Sequence, residues 1–318
     1  MLEALRFVQG AVAKKDYLPS LTHFKIANGT VLGFNGTLGL CSPIPLDLEV
    51  APRAVPFVKA IQTCKETISM SLVEGRRISI KSGNFQVFVE CSDETEYPVV
   101  VPSGQFIELD GAFLAALKKI APFIGDDASR AWSGGILFRG PSAYATNNII
   151  LVEYWLGYAF PVEVNIPRMA VAELLRIGEE PERLQVAPES ITFHYANGRW
   201  LRTQTNATNW PDAIHNLLNA PGAPVPVPAG LFDALEEIAP FLGEDNRVHL
   251  SGDGLATSTA ERQGAVIKLA GLDYTTCFSL KYLQMLGKTA THIDFSLYPR
   301  PCLFYGDKVR GVILGMRN

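Results

Sequence analysis

The chain lacks the features that mark membrane and secreted proteins. No apolar run approaches the roughly 20 residues that a membrane-spanning helix needs. The first residues, MLEALRFVQGAVAKKD, carry polar side chains where a signal peptide would be apolar. Its cysteines (Cys41, Cys64, Cys91, Cys277 and Cys302) are odd in number and form no Cys-x-x-Cys pair. Reduced core thiols are therefore favoured over disulfides, a zinc site or a nucleophile, and we expect a cytoplasmic protein.

Charge is also scarce. Charged residues make up 19% of the chain and the formal net charge is −4, which argues against a protein that coats nucleic acid through overall basicity. Net charge averages over the whole surface, so a basic face can coexist with an acidic one. The hydrophobic fraction of 47% is that of an ordinary globular protein, and 318 residues fit two or three domains.

Sequence signatures of catalysis are missing as well. The chain has no phosphate-binding loop, dinucleotide fingerprint, zinc-protease motif or nucleophile elbow. The histidines lack metal-ligand spacing; they are His23, His194, His215, His249 and His292. Two acidic pairs, Asp126-Asp127 and Glu244-Asp245, occupy the same place in a repeated turn, so a structural role is favoured over a catalytic one. We predict no enzyme activity, no catalytic residues, no cofactor and no metal.

What the chain does contain is an internal repeat. ALKKIAPFIGDD (116–127) returns 118 residues later as ALEEIAPFLGED (234–245), with eight of twelve positions identical. APRAVPFVKAIQ (51–62) is echoed by IPRMAVAELLRI (166–177), and Tyr97-Pro98 and Trp210-Pro211 follow 46 and 44 residues after the two starts. A long-period repeat indicates modular units that bury surface against one another.

Two linker-like segments divide the chain. They are VVVPSGQ (99–105) and the proline-rich NAPGAPVPVPAG (219–230). We therefore predict domains at 1–104, 105–222 and 223–318, with formal charges of 0, −3 and −1. None of these domains is basic by itself.

Local patterns predict two helices and several hairpins in each domain. Apolar residues at helical spacing indicate a first helix (Leu2, Leu5, Val8, Val12) and a second that begins near Pro52 (Val55, Phe57, Val58, Ile61). Turn pairs separate alternating, strand-like runs at Asn28-Gly29, Glu74-Gly75, Ser82-Gly83 and Asn197-Gly198. The predicted fold class is α+β, with three tandem copies of a unit in which two helices pack on antiparallel sheet.

Several segments resemble one family in chain order. YLPSLTHFKIANGTVLGFNGTLGL (17–40) is similar to the first domain of the bacterial DNA polymerase III beta subunit, the sliding clamp. IPRMAVAELLRI and NWPDAIHNLL (209–218) resemble second-domain segments of that family. The closing VRGVILGMRN places Leu314, Gly315, Met316 and Arg317 where the family ends in Met-Pro-Met-Arg. The resemblance covers essentially the whole chain.

The resemblance implies a function as well as a fold. Three clamp-type units per chain would close into a ring as a head-to-tail homodimer, with helices lining the hole and sheets outside. Such a DNA sliding clamp is a processivity factor that encircles double-stranded DNA without regard to sequence. It would tether DNA polymerase, and bind the clamp loader, through short linear peptides. The alternative is a clamp-fold protein that does not form a ring and acts as an interaction module for replication or repair proteins.

The resemblance also implies site residues. The predicted DNA-facing set comprises Arg6, Lys14, Lys15, Lys118, Lys119, Arg168, Arg176, Lys281 and Lys288. The predicted partner-peptide pocket comprises Arg130, Thr146, Leu151, Pro211, Tyr282, Leu314 and Met316. The predicted dimer interface comprises Phe106, Ile107, Phe241 and Leu242. Where the family has Gly-His-Arg, this chain has Asn148-Ile149-Ile150 after Asn147, a departure that suggests a pocket for different clients, as in a phage or mobile-element member.

Overall fold

The computed structural model describes residues 1–15, 18–93, 97–98, 100–109, 111–260 and 262–317. Tyr17, Val99 and Asn318, which belong to segments discussed above, lie outside these ranges. Packing divides the chain into two units. Unit 1 comprises Met1–Leu114 and Met169–Thr205, and unit 2 comprises Ala115–Arg168 and Asn206–Asn318.

Unit 1 contains a seven-stranded antiparallel sheet. In spatial order its strands are β1 (Lys25–Ala27), β2 (Thr30–Phe34), β3 (Leu38–Pro43), β15 (Trp200–Gln204), β14 (Ser190–His194), β13 (Arg183–Ala187) and β8 (Gln105–Glu108). At its centre β3 pairs with β15, with Trp200 opposite Cys41 and Leu201 opposite Leu40. The sheet therefore joins strands from the predicted first and second domains.

A smaller sheet in unit 1 has four strands. They are β4 (Ala51–Pro52), β7 (Phe85–Ser92), β6 (Arg77–Ser82) and β5 (Ser69–Val73). β7 pairs with β6 along its length, whereas β4 meets β7 only at Cys91 and Ser92. The edge of β7 that β4 leaves uncovered is thus unpaired over 85–89 within the described part of the chain.

The helices of unit 1 bury the apolar faces that their sequences predict. They are α1 (Leu2–Val8), α2 (Ala54–Thr63) and α4 (Arg168–Ile177), whose first residue belongs to unit 2. Leu5, Val8 and Phe57 are fully buried. Two details differ from the prediction. A 3-10 turn follows α1, so Val12 lies beyond it, and α2 begins at Ala54 because Pro52 is held in β4.

Unit 2 repeats this plan with an eight-stranded sheet. In spatial order its strands are β12 (Val164–Pro167), β9 (Gly135–Arg139), β10 (Ser142–Thr146), β11 (Ile150–Trp155), β23 (Val309–Ile313), β22 (Cys302–Gly306), β21 (His292–Ile293) and β16 (Val225–Pro226). β11 pairs with β23, with Leu151 opposite Val312 and Glu153 opposite Arg310. This sheet joins strands of the predicted second and third domains.

The remaining elements of unit 2 are a four-stranded sheet and four helices. The strands are β19 (Val266–Ile267), β18 (Gly254–Ala256), β17 (Arg247–Ser251) and β20 (Thr276–Ser279). The helices are α3 (Phe113–Ile120), most of which belongs to unit 2, α5 (Ala213–Leu218), α6 (Leu231–Ile238) and α7 (Leu280–Met285). Within the described ranges no helix is long and apolar enough to cross a membrane.

The repeated twelve-residue segment forms the same structure twice. In each copy an α-helix, α3 or α6, runs directly into a 3-10 turn at Ala-Pro-Phe. The two phenylalanines differ sharply in environment: Phe123 is completely buried, whereas Phe241 is 62% exposed. The α+β class is confirmed, and the division into three domains stays a prediction.

Candidate functional sites

Five of the predicted DNA-facing cations are free of partners within the described part of the chain. Arg6 lies on the exposed face of α1, Lys14 and Lys15 follow the 3-10 turn after α1, Lys118 lies on α3, and Lys288 ends the turn after α7. Each is exposed. Free, exposed ammonium and guanidinium groups are available to pair with phosphates.

The four other members of that set, Lys119, Arg168, Lys281 and Arg176, make contacts within their own unit. Lys119 donates from Nζ to the Lys288 carbonyl at 2.8 Å, and Arg168 donates to the Ile124 carbonyl at 2.7 Å. Lys281 lies with Nζ 5.5 Å from the ring centroid of its neighbour Tyr282. These contacts restrict the positions of these three side chains.

Arg176 is the most constrained of the set. Its guanidinium donates to the Phe7 carbonyl at 2.8 Å and pairs with Glu173, a buried carboxylate on the same helix. Gly10 approaches this pair so closely that a Cβ there would lie 1.9 Å from Glu173 Oε1. Because its charge is balanced locally, Arg176 has less positive charge to offer a phosphate than Lys14 or Lys15.

A basic groove in unit 1 brings some of these residues together. One cavity of about 780 Å³ is lined by Lys14, Arg53, Glu173 and Arg176, together with apolar Val12 and Val55. Sequence reasoning missed Arg53, although the repeat contains the signal. Arg53 in Ala-Pro-Arg stands where Arg168 stands in Ile-Pro-Arg, so the two arginines occupy equivalent places at the start of their helices, Arg53 just before α2 and Arg168 as the first residue of α4.

The helix in the second copy of the twelve-residue repeat carries the opposite charge. α6 exposes Asp233, Glu236 and Glu237 and contains no basic residue. Its counterpart α3 carries Lys118 and Lys119 in its last turn. Helices of equivalent sequence position thus differ in charge, and α6 is poorly suited to approach phosphates.

The predicted peptide pocket draws on several elements of unit 2. Thr146 and Leu151 face each other across β10 and β11 and are buried. Leu314, just past β23, donates its N–H to the Ile149 carbonyl at 2.9 Å and keeps part of its side chain exposed. Met316 is fixed through its backbone, which donates to Cys277 and accepts from the Tyr298 hydroxyl.

The remaining pocket residues lie on nearby segments of the same unit. Pro211 is exposed just before α5, and Tyr282 is half-buried on α7. The α7 helix approaches the pocket loop, since the Asn147 side-chain nitrogen lies 4.0 Å from the Met285 sulfur. A peptide site in unit 2 would therefore present Leu314, Pro211 and Tyr282 as its accessible apolar groups.

The loop that departs from the family builds its own turn. Asn147 Oδ1 accepts from the N–H groups of Ile149 at 3.1 Å and Ile150 at 2.8 Å, and Asn148 takes a left-handed conformation with φ of 70°. Arg130 Nη1 donates to Asn148 Oδ1 at 2.9 Å. The substituted residues thus form a closed loop with Arg130 across it.

Arg130 is itself positioned by an acidic neighbour. Asp127 accepts from the Ser129 N–H and hydroxyl and faces Arg130 at 3.9 Å. The Ser129 hydrogen bonds, with a smaller contribution from Arg130, hold the pKa of Asp127 below its ordinary value. Asp127 is therefore ionised at neutral pH and lies beside Arg130 at the border of the loop.

The residues predicted for the dimer interface fall into two settings. Phe106 and Ile107 lie on β8, where the Arg183 guanidinium covers the Phe106 ring at 4.3 Å and Ile107 faces Leu184. Phe241 and Leu242 follow α6, and the Phe241 ring is largely exposed.

No group of three or more His, Cys, Asp or Glu side chains within the described ranges could hold a metal ion.

Comparison with known proteins identifies the fold. The sliding clamp of C. crescentus, solved with polyethylene glycol bound, matches with a TM-score of 0.84 at 18% identity, covering 100% of this chain and 97% of that one. The DnaN sliding clamp of Bartonella birtlesii bound to griselimycin gives 0.84 at 17%, and the DNA polymerase sliding clamp of Bacillus subtilis gives 0.83 at 17%, with the same coverage. No protein-family model and no curated protein matches the sequence.

These matches define the fold class of the chain. Over its whole length it has the fold of bacterial DNA polymerase III beta subunits, the sliding clamps, at low sequence identity. The predicted resemblance is thus confirmed at the level of the fold.

Proposed function

We propose that this chain is a DNA sliding clamp that encircles duplex DNA as a head-to-tail homodimer and tethers DNA polymerase to it. The observation that carries the proposal is the fold match, which runs over 100% of this chain and 97% of the C. crescentus clamp. A match over almost the full length of both chains supports the presence of the parts that a ring requires. The protein would act by topology, without catalysis.

Two sheet edges that are unpaired within the described part of the chain support ring closure. The unpaired edge of β7 presents Phe88, which is 53% exposed, and β19, at one edge of its sheet, presents Val266, which is 64% exposed. Exposed edges with apolar side chains invite pairing with another chain. Phe241, exposed where its repeat counterpart Phe123 is buried, adds an apolar group in the unit that contains β19.

The register at this junction follows from the repeat. A two-residue turn joins β17 to β18, and another joins β9 to β10. The closing pairs of these turns are Ser251 with Gly254 and Arg139 with Ser142. Leu255 and Ala143 each follow the closing pair by one residue, so they occupy equivalent positions in the two hairpins. Their partners on the next strand, Ile267 in β19 and Tyr154 in β11, are equivalent too.

The partner edge is aligned in the same way. Two-residue turns join β6 to β7 and β22 to β23, which makes Phe85 the equivalent of Val309. Within unit 2 the residues at these positions, Tyr154 of β11 and Val309 of β23, lie opposite each other. Between two copies we therefore expect Ile267 opposite Phe85 and Val266 opposite Gln86. One junction of this kind at each end of the chain closes a dimer.

DNA contact would come mainly from the free cations and the basic groove of unit 1. Duplex DNA carries one phosphate charge per ~1.7 Å, so a few lysines give weak, salt-sensitive binding without sequence preference. This suits a protein that slides and is retained by its closed shape. The acidic α6 would repel the phosphates, so DNA contacts would come from other helices.

Clients would dock in unit 2. The exposed part of Leu314, with the buried Leu151 on β11 and with Pro211 and Tyr282 on nearby elements, suits one or two apolar side chains of an extended peptide. Polymerase and clamp loader would share this site. The closed Asn147 loop gives it a different border from that of relatives with Gly-His-Arg.

Retention on DNA of different topology tests the proposal. The purified protein is loaded onto nicked circular plasmid with a clamp loader, washed in moderate salt and then exposed to a restriction enzyme that cuts once. A ring stays on the circle and leaves when the ends are opened. Equal loss from cut and uncut plasmid, with a monomeric mass in solution, would instead support the interaction module.

A further inference from the structure

The eight-stranded sheet of unit 2 carries an exposed aromatic surface outside the sites described above. Trp155 on β11 is 55% exposed, and Tyr305 on β22 is also exposed; β23 runs between them. Two strand spacings and an offset of two residues along the strands separate their Cα atoms by roughly 12 Å. The cavity between them measures about 330 Å³, and its lining includes Lys308 and Arg310.

A polar network holds the floor of this cavity. Glu153 is buried and accepts hydrogen bonds from Ser142 at 2.7 Å, from Tyr144 at 3.0 Å and from Arg310. Burial opposes ionisation of Glu153, but the hydrogen bonds from Arg310 and Ser142 outweigh it, so its pKa lies below its ordinary value. Asn219, just past α5, accepts from Arg310 Nη1 at 3.0 Å.

Three of the polar side-chain groups that remain free around the cavity can only donate. They are the Trp155 indole N–H, the Lys308 ammonium and Arg310 Nη2, and with the Tyr305 hydroxyl, which can donate or accept, they have no partner within the described part of the chain. The one carboxylate in the lining, Glu153, already accepts three hydrogen bonds. A ligand for this surface must therefore supply acceptors, and it must also cover two aromatic rings.

The local charge limits what that ligand is. Lys308 and Arg310 face a single carboxylate, Glu153, which pairs with Arg310, so the lining has an excess of one positive charge. A polyanion such as single-stranded nucleic acid needs a continuous track of cations, which is absent here. A single carboxylate beside an apolar or aromatic side chain fits the two cations, Lys308 and Arg310, and the two aromatic rings.

We propose that this surface binds a short acidic peptide segment of a partner protein, with one apolar or aromatic side chain between Trp155 and Tyr305 and its carboxylate on Lys308 and Arg310. Trp, Tyr and Arg are the residues most often found at the centre of protein interfaces.

The surface is separate from the predicted client pocket and from the edges expected to close a ring. Trp155 lies on the same face of β11 as Leu151 but four residues further along, roughly 13 Å away. Both edges of β11 are paired within unit 2, so this strand is not a ring junction. The proposal does not depend on ring formation.

Fluorine NMR of the full chain tests it. The four tryptophans are replaced biosynthetically by 5-fluorotryptophan, and Trp155→Phe assigns one resonance. The probes are the peptide acetyl-SYDS-amide, its neutral isostere acetyl-SYNS-amide, and an oligothymidylate. We expect SYDS to shift the Trp155 resonance with a millimolar to high-micromolar dissociation constant, and the other probes to bind at least several-fold more weakly.

Charge variants provide the control. Lys308→Glu should weaken SYDS binding roughly tenfold or more, whereas Lys65→Glu, an exposed lysine of unit 1, should leave it unchanged. The proposal is overturned if no peptide shifts Trp155, if SYNS binds as well as SYDS, or if Lys308→Glu has no effect. Tighter binding of oligothymidylate would make this a nucleic-acid site, and a Trp155 shift on simple dilution would make it a contact between copies.

Discussion

Phe88→Ala should weaken the dimer far more than its exposure in one chain suggests. In the expected register Val266 of a second copy lies opposite Gln86, and Phe88 lies two residues along β7 on the same face of the sheet. Pairing would cover both apolar side chains. In the single chain Phe88 is 53% exposed and Val266 is 64% exposed. Truncating Phe88 removes most of that contact.

The magnitude follows from area and symmetry. A phenylalanine side chain buries 150–250 Å², so covering the exposed half of Phe88 removes roughly 100 Å² from water, worth about 2.5 kcal/mol at 25 cal/mol per Å². A closed head-to-tail dimer contains two identical junctions, so the total is about 5 kcal/mol. That raises the dimer dissociation constant by roughly three to four orders of magnitude.

Sedimentation velocity over a concentration series measures this constant. Leu72→Ala is the matched control, because Leu72 is 55% exposed on β5, at the opposite edge of the same sheet, where no junction is expected. Leu72→Ala should dimerise like the wild type. If Phe88→Ala also does so, or if both variants weaken the dimer alike, the register is wrong.

Four further predictions concern closure, DNA, clients and stability. Phe241→Glu should yield monomers at low concentration by size exclusion, because a buried unpaired carboxylate costs several kcal/mol; wild-type elution would contradict this. Replacing Lys14 and Lys15 with Gln should reduce the salt dependence of DNA binding by about two units of log–log slope, and an unchanged slope would remove them from the DNA face. Tyr282→Ala with deletion of the last three residues should weaken the affinity for a polymerase-tail peptide by roughly thirtyfold or more, measured by fluorescence anisotropy, while the protein stays a folded dimer. Wild-type affinity would place clients elsewhere. Glu153→Gln should lower unfolding free energy at pH 7 by about 1–3 kcal/mol. Because the pKa of Glu153 is depressed, that stabilisation is present above its ordinary value of 4.5 and is lost as pH falls, so urea melts of the two proteins should converge in acid.

Local signals made parts of the fold predictable. The Asn28-Gly29 pair takes positive φ at both residues and closes β1 on β2, as a two-residue hairpin turn of this type requires. The repeated Ala-Pro-Phe segment forms a helix end in both copies. These features depend on residues close in sequence, and the pattern of a few neighbours is enough to specify them.

Non-local pairing could not be predicted in the same way. Nothing in the sequence of β3 or β15 indicates that Cys41 faces Trp200, because register between distant strands depends on the whole sheet. The apolar stripe assigned to α2 included Val55, which is exposed in the groove with Lys14. The same limit hid Phe88 and the pair of Trp155 with Tyr305, whose exposure only the folded sheets reveal.

The most direct test of the central claim is a covalent ring on circular DNA. Gln86→Cys and Val266→Cys, in a background with Cys64 and Cys91 replaced by serine, place two thiols opposite each other at each junction, with Cβ atoms about 5 Å apart. After cross-linking of protein loaded on nicked plasmid, the sample is denatured in SDS and run on a gel. We predict that the cross-linked dimer stays with circular plasmid, because it is linked topologically, and is lost from the same plasmid once linearised. A cross-linked dimer that separates from circular and linear DNA alike would contradict the account.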